Sequence, residues 1–335
     1  MSEMMKCGVC VTPGQFEIIT AEKPETAPEG WVLLDNCAVG ICGTDYHIFE
    51  GKHPFLNYPR VIGHELSGTV AEDAHGWSKG DLVVINPYVA CGTCRACRRG
   101  KPNCCYNIEV FGVHRDGGLC DRLAVPAGNL YSAEGLTKVE AAMVEFLAIG
   151  AHAVRRSEIA ADDRVLVTGA GPIGIGTALF AQLQGAEVHL LDKSRTRLDF
   201  VSSKLNVANC HLVGEGLLTG DLAEGFDTVF DATGSVAAIQ AGFALVAHGG
   251  SYVLVSVVKD DITFADPEFH KREMRLIGSR NALKVDFESV IEALRTRKID
   301  GSKLCSEQLS LEDLAIRLPE LASNRDTLIK AVVTL

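Results

Sequence analysis

Cys91, Cys94, Cys97 and Cys105 stand in a C-x2-C-x2-C-x7-C run. Two-residue gaps let neighbouring thiolates converge on one tetrahedral ion, and the longer loop returns a fourth. Unrelated thiols or disulfides do not account for two such gaps side by side. Four thiolates fill the coordination shell, so the run reads as a structural zinc site. Cys104, beside Cys105, leaves the fourth ligand open by one position.

A second, looser set carries different chemistry. Cys42 lies in Gly40-Ile41-Cys42-Gly43-Thr44-Asp45-Tyr46-His47, His64 and Glu65 lie in Gly63-His64-Glu65, and Glu145 follows much later. A single cysteine or histidine is more often a buried structural residue than a ligand. Together these residues form a mixed sulfur, nitrogen and oxygen set, the kind that leaves zinc an open position for substrate. Zinc so held acts as a Lewis acid and lowers the pKa of a bound hydroxyl.

Gly169-Ala170-Gly171-Pro172-Ile173-Gly174 matches G-x-G-x-x-G, with an apolar strand before it and an amphipathic helix after it. Gly169 permits the tight turn, Gly171 lets the backbone approach a pyrophosphate, and Gly174 lets helix and sheet pack closely. The helix N-terminus then faces phosphate charge. Asp192 ends the next strand. A carboxylate there accepts hydrogen bonds from ribose hydroxyls and repels a 2'-phosphate, so NAD is expected rather than NADP. Lys193, Arg195 and Arg197 close by work against that preference.

The elements that must position these groups fall into two rhythms. Residues 1 to about 135 read as β-rich, with strands expected at 32–41 and 82–85 and frequent interruption by glycine, proline and cysteine. Thr137 with Glu140 forms a capping box that opens a helix. From 164 onward strands and helices alternate: strands at 164–168, 187–192, 228–231 and 251–257, helices at 173–184 and 197–205. This pattern implies a parallel, doubly wound sheet. Helices at 286–296 and 311–322 and a strand at 329–334 complete the chain.

The 335 residues suffice for two domains, and 47% hydrophobic with 22% charged residues is ordinary for a soluble globular protein. A formal net charge of -11 gives no electrostatic footprint for nucleic acid or anionic membrane. No apolar run reaches membrane-spanning length, and residues 1–11 lack the features of a secretory signal. Twelve cysteines then point to metal ligands and buried thiols in the cytoplasm.

These segments resemble the medium-chain zinc alcohol dehydrogenase family, which includes sorbitol and threonine dehydrogenases, over essentially the whole chain. The resemblance implies that Cys42 and His64 bind catalytic zinc, with Glu65 and Glu145 at the same ion and exchanging with water. It implies that Thr44 takes the alcohol proton and passes it through the cofactor ribose to His47 and solvent. It adds Thr233 with Gly234, Ser279 with Arg280, and Lys330 at the pyrophosphate as cofactor contacts. Two zinc ions and NAD are the implied cofactors, and a homodimer or homotetramer the implied assembly. The implied fold is α/β. A Rossmann domain, 151–282, separates the two parts of a β-rich GroES-like catalytic domain, 1–150 and 283–335, whose zinc lobe covers 88–108. Catalytic zinc and nicotinamide would share a cleft. Two departures from the family pattern are Phe146, where proline is usual, and a short stretch at 71–80.

Residues 87–91, 103–105, 112–118, 266–273 and 278–281 are further similar to bacterial sugar-acid dehydrogenases of the L-galactonate or L-gulonate 5-dehydrogenase kind, which give a keto-uronate. A hexonate needs a cation for its carboxylate. His114, Arg115, His270, Lys271 and Arg280 offer one, with His114 and Arg280 taken as substrate contacts. A neutral polyol or L-threonine is the alternative substrate. A non-catalytic zinc and nucleotide sensor is the alternative of another class. Cys42, Thr44, His47 and His64 argue against it, because a scaffold has no need of an open metal position.

Overall fold

The strand Trp31–Ile41 is buried along most of its length, with Val32, Leu34, Ala38 and Val39 fully enclosed. β-branched and aliphatic residues on both faces suit a central strand packed on two sides. The computed structural model, which describes residues 3–53, 56–324 and 328–335, builds a sheet around it. Glu65–Val70 pairs antiparallel on one edge and Lys330–Thr334 antiparallel on the other, with Leu82–Ile85, Leu130–Ser132 and Cys305–Leu309 outside them. Arg122–Pro126 pairs with the first half of the central strand. The register sets Gly40 opposite Glu65 and Ile41 opposite Ala331. That brings Cys42, His64 with Glu65, and Lys330 to one end of three adjacent strands.

The chain divides into two compact units, Met1–Glu145 with Leu283–Leu335, and Phe146–Ala282. In the first, a hairpin of Met4–Thr12 and Gln15–Glu22 adds a small sheet with Arg60–Val61. No strand was expected before residue 32: the second hairpin strand buries none of its residues fully, so its polarity hides it. Thr137 caps Lys138–Ala142, accepting from the Glu140 amide at 3.1 Å while Glu140 accepts from the Thr137 amide at 2.9 Å. A short two-stranded ribbon, Tyr88–Val89 with Glu109–Val110, frames the cysteine-rich loop.

The second unit holds a six-stranded, wholly parallel sheet. Its order is Asn209–Leu212, Glu187–Asp192, Arg164–Thr168, Phe226–Asp231, Val246–Leu254, Arg275–Gly278. The sequence therefore runs outward from the third position and returns to the other side, the doubly wound order that places ligands beyond the carboxyl ends of the central strands. The helix expected from 197 begins at Arg195, because the Ser194 hydroxyl caps it. The strand expected from 251 begins at Val246. Among the described residues no helix is long and apolar enough to cross a membrane.

Candidate active site and metal centres

Cys42 follows the central strand directly and sits at the N-cap of the helix Gly43–Phe49, where the Asp45 carboxylate accepts from its amide at 2.9 Å. One ligand atom each from Cys42, His64 and Glu65 lies within 4.8 Å of the others. His64 and Glu65 are buried, at 6% and 0% exposure. The His64 Nδ1 lies 3.7 Å from Asp45 Oδ1, which turns Nε2 toward Cys42. Such a carboxylate behind a ligating imidazole fixes its ring and tautomer.

The electrostatics show what this group lacks. Burial opposes a proton on His64, yet the Asp45 carboxylate and Cys42 outweigh it and raise the imidazole well above its usual range. Burial likewise opposes charge on Lys330, and Glu65 and Cys42 more than restore it. Lys330 Nζ lies 2.6 Å from Glu65 Oε1, while Glu65 Oε2 has no hydrogen-bond partner. In the state a metal requires, with Cys42 a thiolate, His64 neutral and Glu145 protonated, the anions Cys42, Asp45 and Glu65 exceed the cation Lys330 by two charges. A divalent ion held by a thiolate, an imidazole and the free carboxylate oxygen removes that excess, so the donor set fits zinc.

Glu145 is buried beside the trio, and its ligand atoms are not part of the close group. Burial pushes its carboxyl up to about 7, against the pull of His64 and with the push of Glu65. Its Oε1 accepts from the Tyr88 hydroxyl.

In the cysteine-rich loop the four thiols converge. Cys94 Sγ lies 3.5 Å from Cys97 and 4.0 Å from Cys105, and Cys105 Sγ lies 3.4 Å from Cys91. A tetrahedron with Zn–S bonds of about 2.3 Å has sulfur–sulfur edges of about 3.8 Å, so the sulfurs stand nearly where zinc needs them. Cys105 is buried and joins the group, while Cys104 is exposed and outside it. Backbone amides at Thr93 and Cys94 draw Cys91 down to about 6, as a thiolate ligand requires. Burial and the neighbouring sulfurs push Cys97 up to about 12, a crowding that a shared cation relieves.

In the second unit the glycine loop joins Arg164–Thr168 to the helix Pro172–Leu183. Gly169 has φ of +98°, and a Cβ on Gly174 would stand 1.8 Å from the Gly169 carbonyl oxygen. Only glycine allows that closure. Asp192 Oδ2 accepts from the Ala170 amide at 2.6 Å and its Oδ1 from Ser194 at 2.7 Å, so this carboxylate also braces the loop.

The alcohol dehydrogenase GroES-like domain family matches residues 28–135, and the zinc-binding dehydrogenase family matches residues 172–296. L-galactonate-5-dehydrogenase of Escherichia coli (strain K12) is 40% identical over 312 residues, covering 90% of this chain and 91% of its own. The chain belongs to the medium-chain zinc alcohol dehydrogenase family. It is an enzyme of the class that oxidises CH–OH groups. The alcohol dehydrogenase rspB of E. coli CFT073, solved with NADH, superposes with a TM-score of 0.92 at 27% identity, over 100% of both chains. A zinc-binding dehydrogenase of Sinorhizobium meliloti 1021 bound to NADP gives 0.90 at 27% identity, again over 100% of both.

Against this family frame the remaining expected residues divide. Thr44 and His47 share the helix after Cys42, three positions apart and so on one face, Thr44 half-buried and His47 exposed. Thr233 Oγ1 donates to Asp231 at 2.9 Å and Ser279 carries a buried hydroxyl without a partner. Lys193 and Arg280 are exposed and Arg197 is half-buried. Lys330 is 1% exposed, and its ammonium is held by Glu65 and the Ile41 carbonyl at 2.6 and 3.2 Å, a countercharge to that buried carboxylate. His114 Nδ1 accepts from the Val110 amide at 3.1 Å, closing its own turn. Arg115 lies over the Trp31 ring at 4.7 Å and bonds Glu109 at 3.3 Å, which commits it to structure. Sequence reasoning missed Asp45 and Tyr88 as partners of ligands. Asp45 stands three residues after Cys42, where a capping carboxylate is readable; nothing local marks Tyr88.

Proposed function

We propose that this enzyme is an NAD-dependent dehydrogenase of a sugar acid, oxidising the C5 hydroxyl of an aldonate of the L-galactonate or L-gulonate type to a keto-uronate. The observation that carries the reading is the joint presence of a three-donor metal set and 40% identity, over 90% of the chain, to a protein named L-galactonate-5-dehydrogenase. The Asp192 carboxylate supports NAD over NADP, because an anion at the end of the strand after the glycine loop disfavours a 2'-phosphate.

Zinc and NAD, when bound, supply the Lewis acid that acidifies the substrate hydroxyl and the acceptor of the hydride. The protein's own part is positioning and proton management. Cys42, His64 and Glu65 are the residues that hold the metal, with Asp45 orienting the imidazole. Thr44, two residues after Cys42, would take the hydroxyl proton and pass it through the cofactor ribose to exposed His47 and solvent. Cys91, Cys94, Cys97 and Cys105 hold a second zinc that fixes the lobe. His114 and Arg280 remain the proposed contacts for a substrate carboxylate, with Arg280 as the cation.

A second reading, a neutral polyol, is favoured by the commitment of Arg115 to Trp31, Phe111 and Glu109. An NADH-formation screen separates the two. Zinc-loaded protein should reduce NAD with a hexonate at a kcat/KM at least tenfold above that with sorbitol or L-threonine. A reversed order would overturn the sugar-acid reading, and preference for NADP would overturn the cofactor assignment.

A further inference from the structure

Tyr88 lies outside every catalytic motif, yet its hydroxyl is directed at a carboxylate of the metal site. Three constraints fix where that hydroxyl stands. Its amide donates to Asn86 Oδ1 at 3.0 Å, and its carbonyl accepts from Asn129 Nδ2 at 3.0 Å. Its ring meets the buried Phe287 edge-on, with centroids 6.4 Å apart at 70°. Main chain and ring are both anchored, so the phenol cannot follow a carboxylate that moves away.

Glu145 is the partner. It opens the helix Val144–Ser157, is 4% exposed, and gives Oε1 to the Tyr88 hydroxyl. It is near enough to His64 and Glu65 to feel both charges, yet its oxygens stay outside the group formed by Cys42, His64 and Glu65. Three protein ligands leave a tetrahedral zinc one position, and that position must admit the alcohol. Glu145 is the nearby anion able to fill it and block the site. A hydrogen bond from a neutral donor in a dry environment is worth more than in water, so the bond competes with the ion for the same oxygen.

We propose that Tyr88 is a positioning residue that restrains Glu145, keeping its carboxylate off the fourth metal position so that the position stays open to water and substrate. This rests on the assignment of the Cys42, His64 and Glu65 set to a catalytic metal, and its test needs no substrate. Cobalt(II) is the probe. Metal-free protein is loaded with cobalt, and its visible spectrum and its retention against a competing chelator are measured. The proteins are wild type, Tyr88→Phe, Glu145→Gln and the double variant. The Cys42→Ala protein supplies the background from cobalt in the four-thiolate lobe.

Tyr88→Phe keeps the ring on Phe287 and removes only the hydroxyl. It should shift the ligand-field bands and hold cobalt at least fivefold more tightly, and both effects should vanish when Glu145 is also changed to Gln. Asn129→Ala, which loosens the Tyr88 main chain but keeps the hydroxyl, should move both readouts the same way by a smaller amount. Spectra and retention within twofold of wild type for Tyr88→Phe would overturn the proposal. So would an equal effect in the Glu145→Gln background, since Tyr88 would then act through another group. Absence of cobalt from the Cys42 set in wild type would overturn this and the metal assignment together. Normal cobalt behaviour with no turnover of any aldonate would count against the sugar-acid reading alone.

Discussion

Replacing Lys330 by methionine removes one charge from a place where charge is tightly balanced. The ammonium is 1% exposed, 2.6 Å from Glu65 Oε1 and 3.2 Å from the Ile41 carbonyl. Methionine fills a similar volume, so little cavity forms. What is lost is the countercharge of Glu65, itself fully buried with its second oxygen already unpartnered. Stranding one half of a buried pair costs about 3–5 kcal/mol. At ~2–4 °C per kcal/mol for a unit of this size, the melting temperature should fall by ~6–20 °C. The metal enters with a definite sign. A divalent ion at Cys42, His64 and Glu65 also neutralises that carboxylate, so in zinc-loaded protein the loss should be half or less of that in metal-free protein. Glu65→Gln combined with Lys330→Met removes both charges and should recover most of the metal-free stability, though not the metal binding. Calorimetry on matched metal states reads all three, and the structural lobe cancels between proteins in the same state. A metal-free loss below about 1 kcal/mol, or a double variant as unstable as the single, would refute the view that Glu65 and Lys330 depend on each other as a buried pair.

Other consequences follow from the same geometry. Gly174→Ala drives a Cβ to 1.8 Å from the Gly169 carbonyl oxygen; NADH fluorescence titration should show binding weakened more than tenfold, with the second unit destabilised by ~1–3 kcal/mol. Cys105→Ser should lower bound zinc from two ions per chain to one by elemental analysis, while Cys104→Ser, exposed and outside the cluster, should leave it unchanged. Glu140 is opposed by burial but held below its ordinary value near 4.5 by Thr137 and Arg297. A carboxyl depressed by folding contributes stability above its unfolded pKa and loses it as pH falls through the folded value. Glu140→Gln should therefore lower stability at neutral pH and flatten the decline below about pH 4.5, as read by urea unfolding from pH 3 to 7.

What the sequence disclosed depended on how locally each feature is encoded. The four lobe cysteines sit within fifteen residues, so spacing alone identified a set whose sulfurs come to 3.4–4.0 Å. The glycine loop was equally readable, because strand, turn and helix are consecutive. Ambiguity between Cys104 and Cys105 needed burial to resolve it. Lys330 shows the other limit. Its partner Glu65 is 265 residues away, and only the register of Trp31–Ile41 with both neighbouring strands brings them together. A lysine in a terminal strand reads locally as a solvated or anion-binding side chain. Tyr88 was invisible for the same reason: its role comes from Glu145, 57 positions on, and from Phe287 behind its ring. The N-terminal hairpin escaped because its outer strand buries none of its residues fully.

Anomalous diffraction at the zinc edge, from crystals of enzyme that turns over substrate, tests the central claim most directly. Two peaks per chain are predicted: one about 2.0–2.3 Å from Cys42 Sγ, His64 Nε2 and a Glu65 oxygen, the other about 2.3 Å from the four lobe sulfurs. A map of active material with no peak among Cys42, His64 and Glu65 would contradict it.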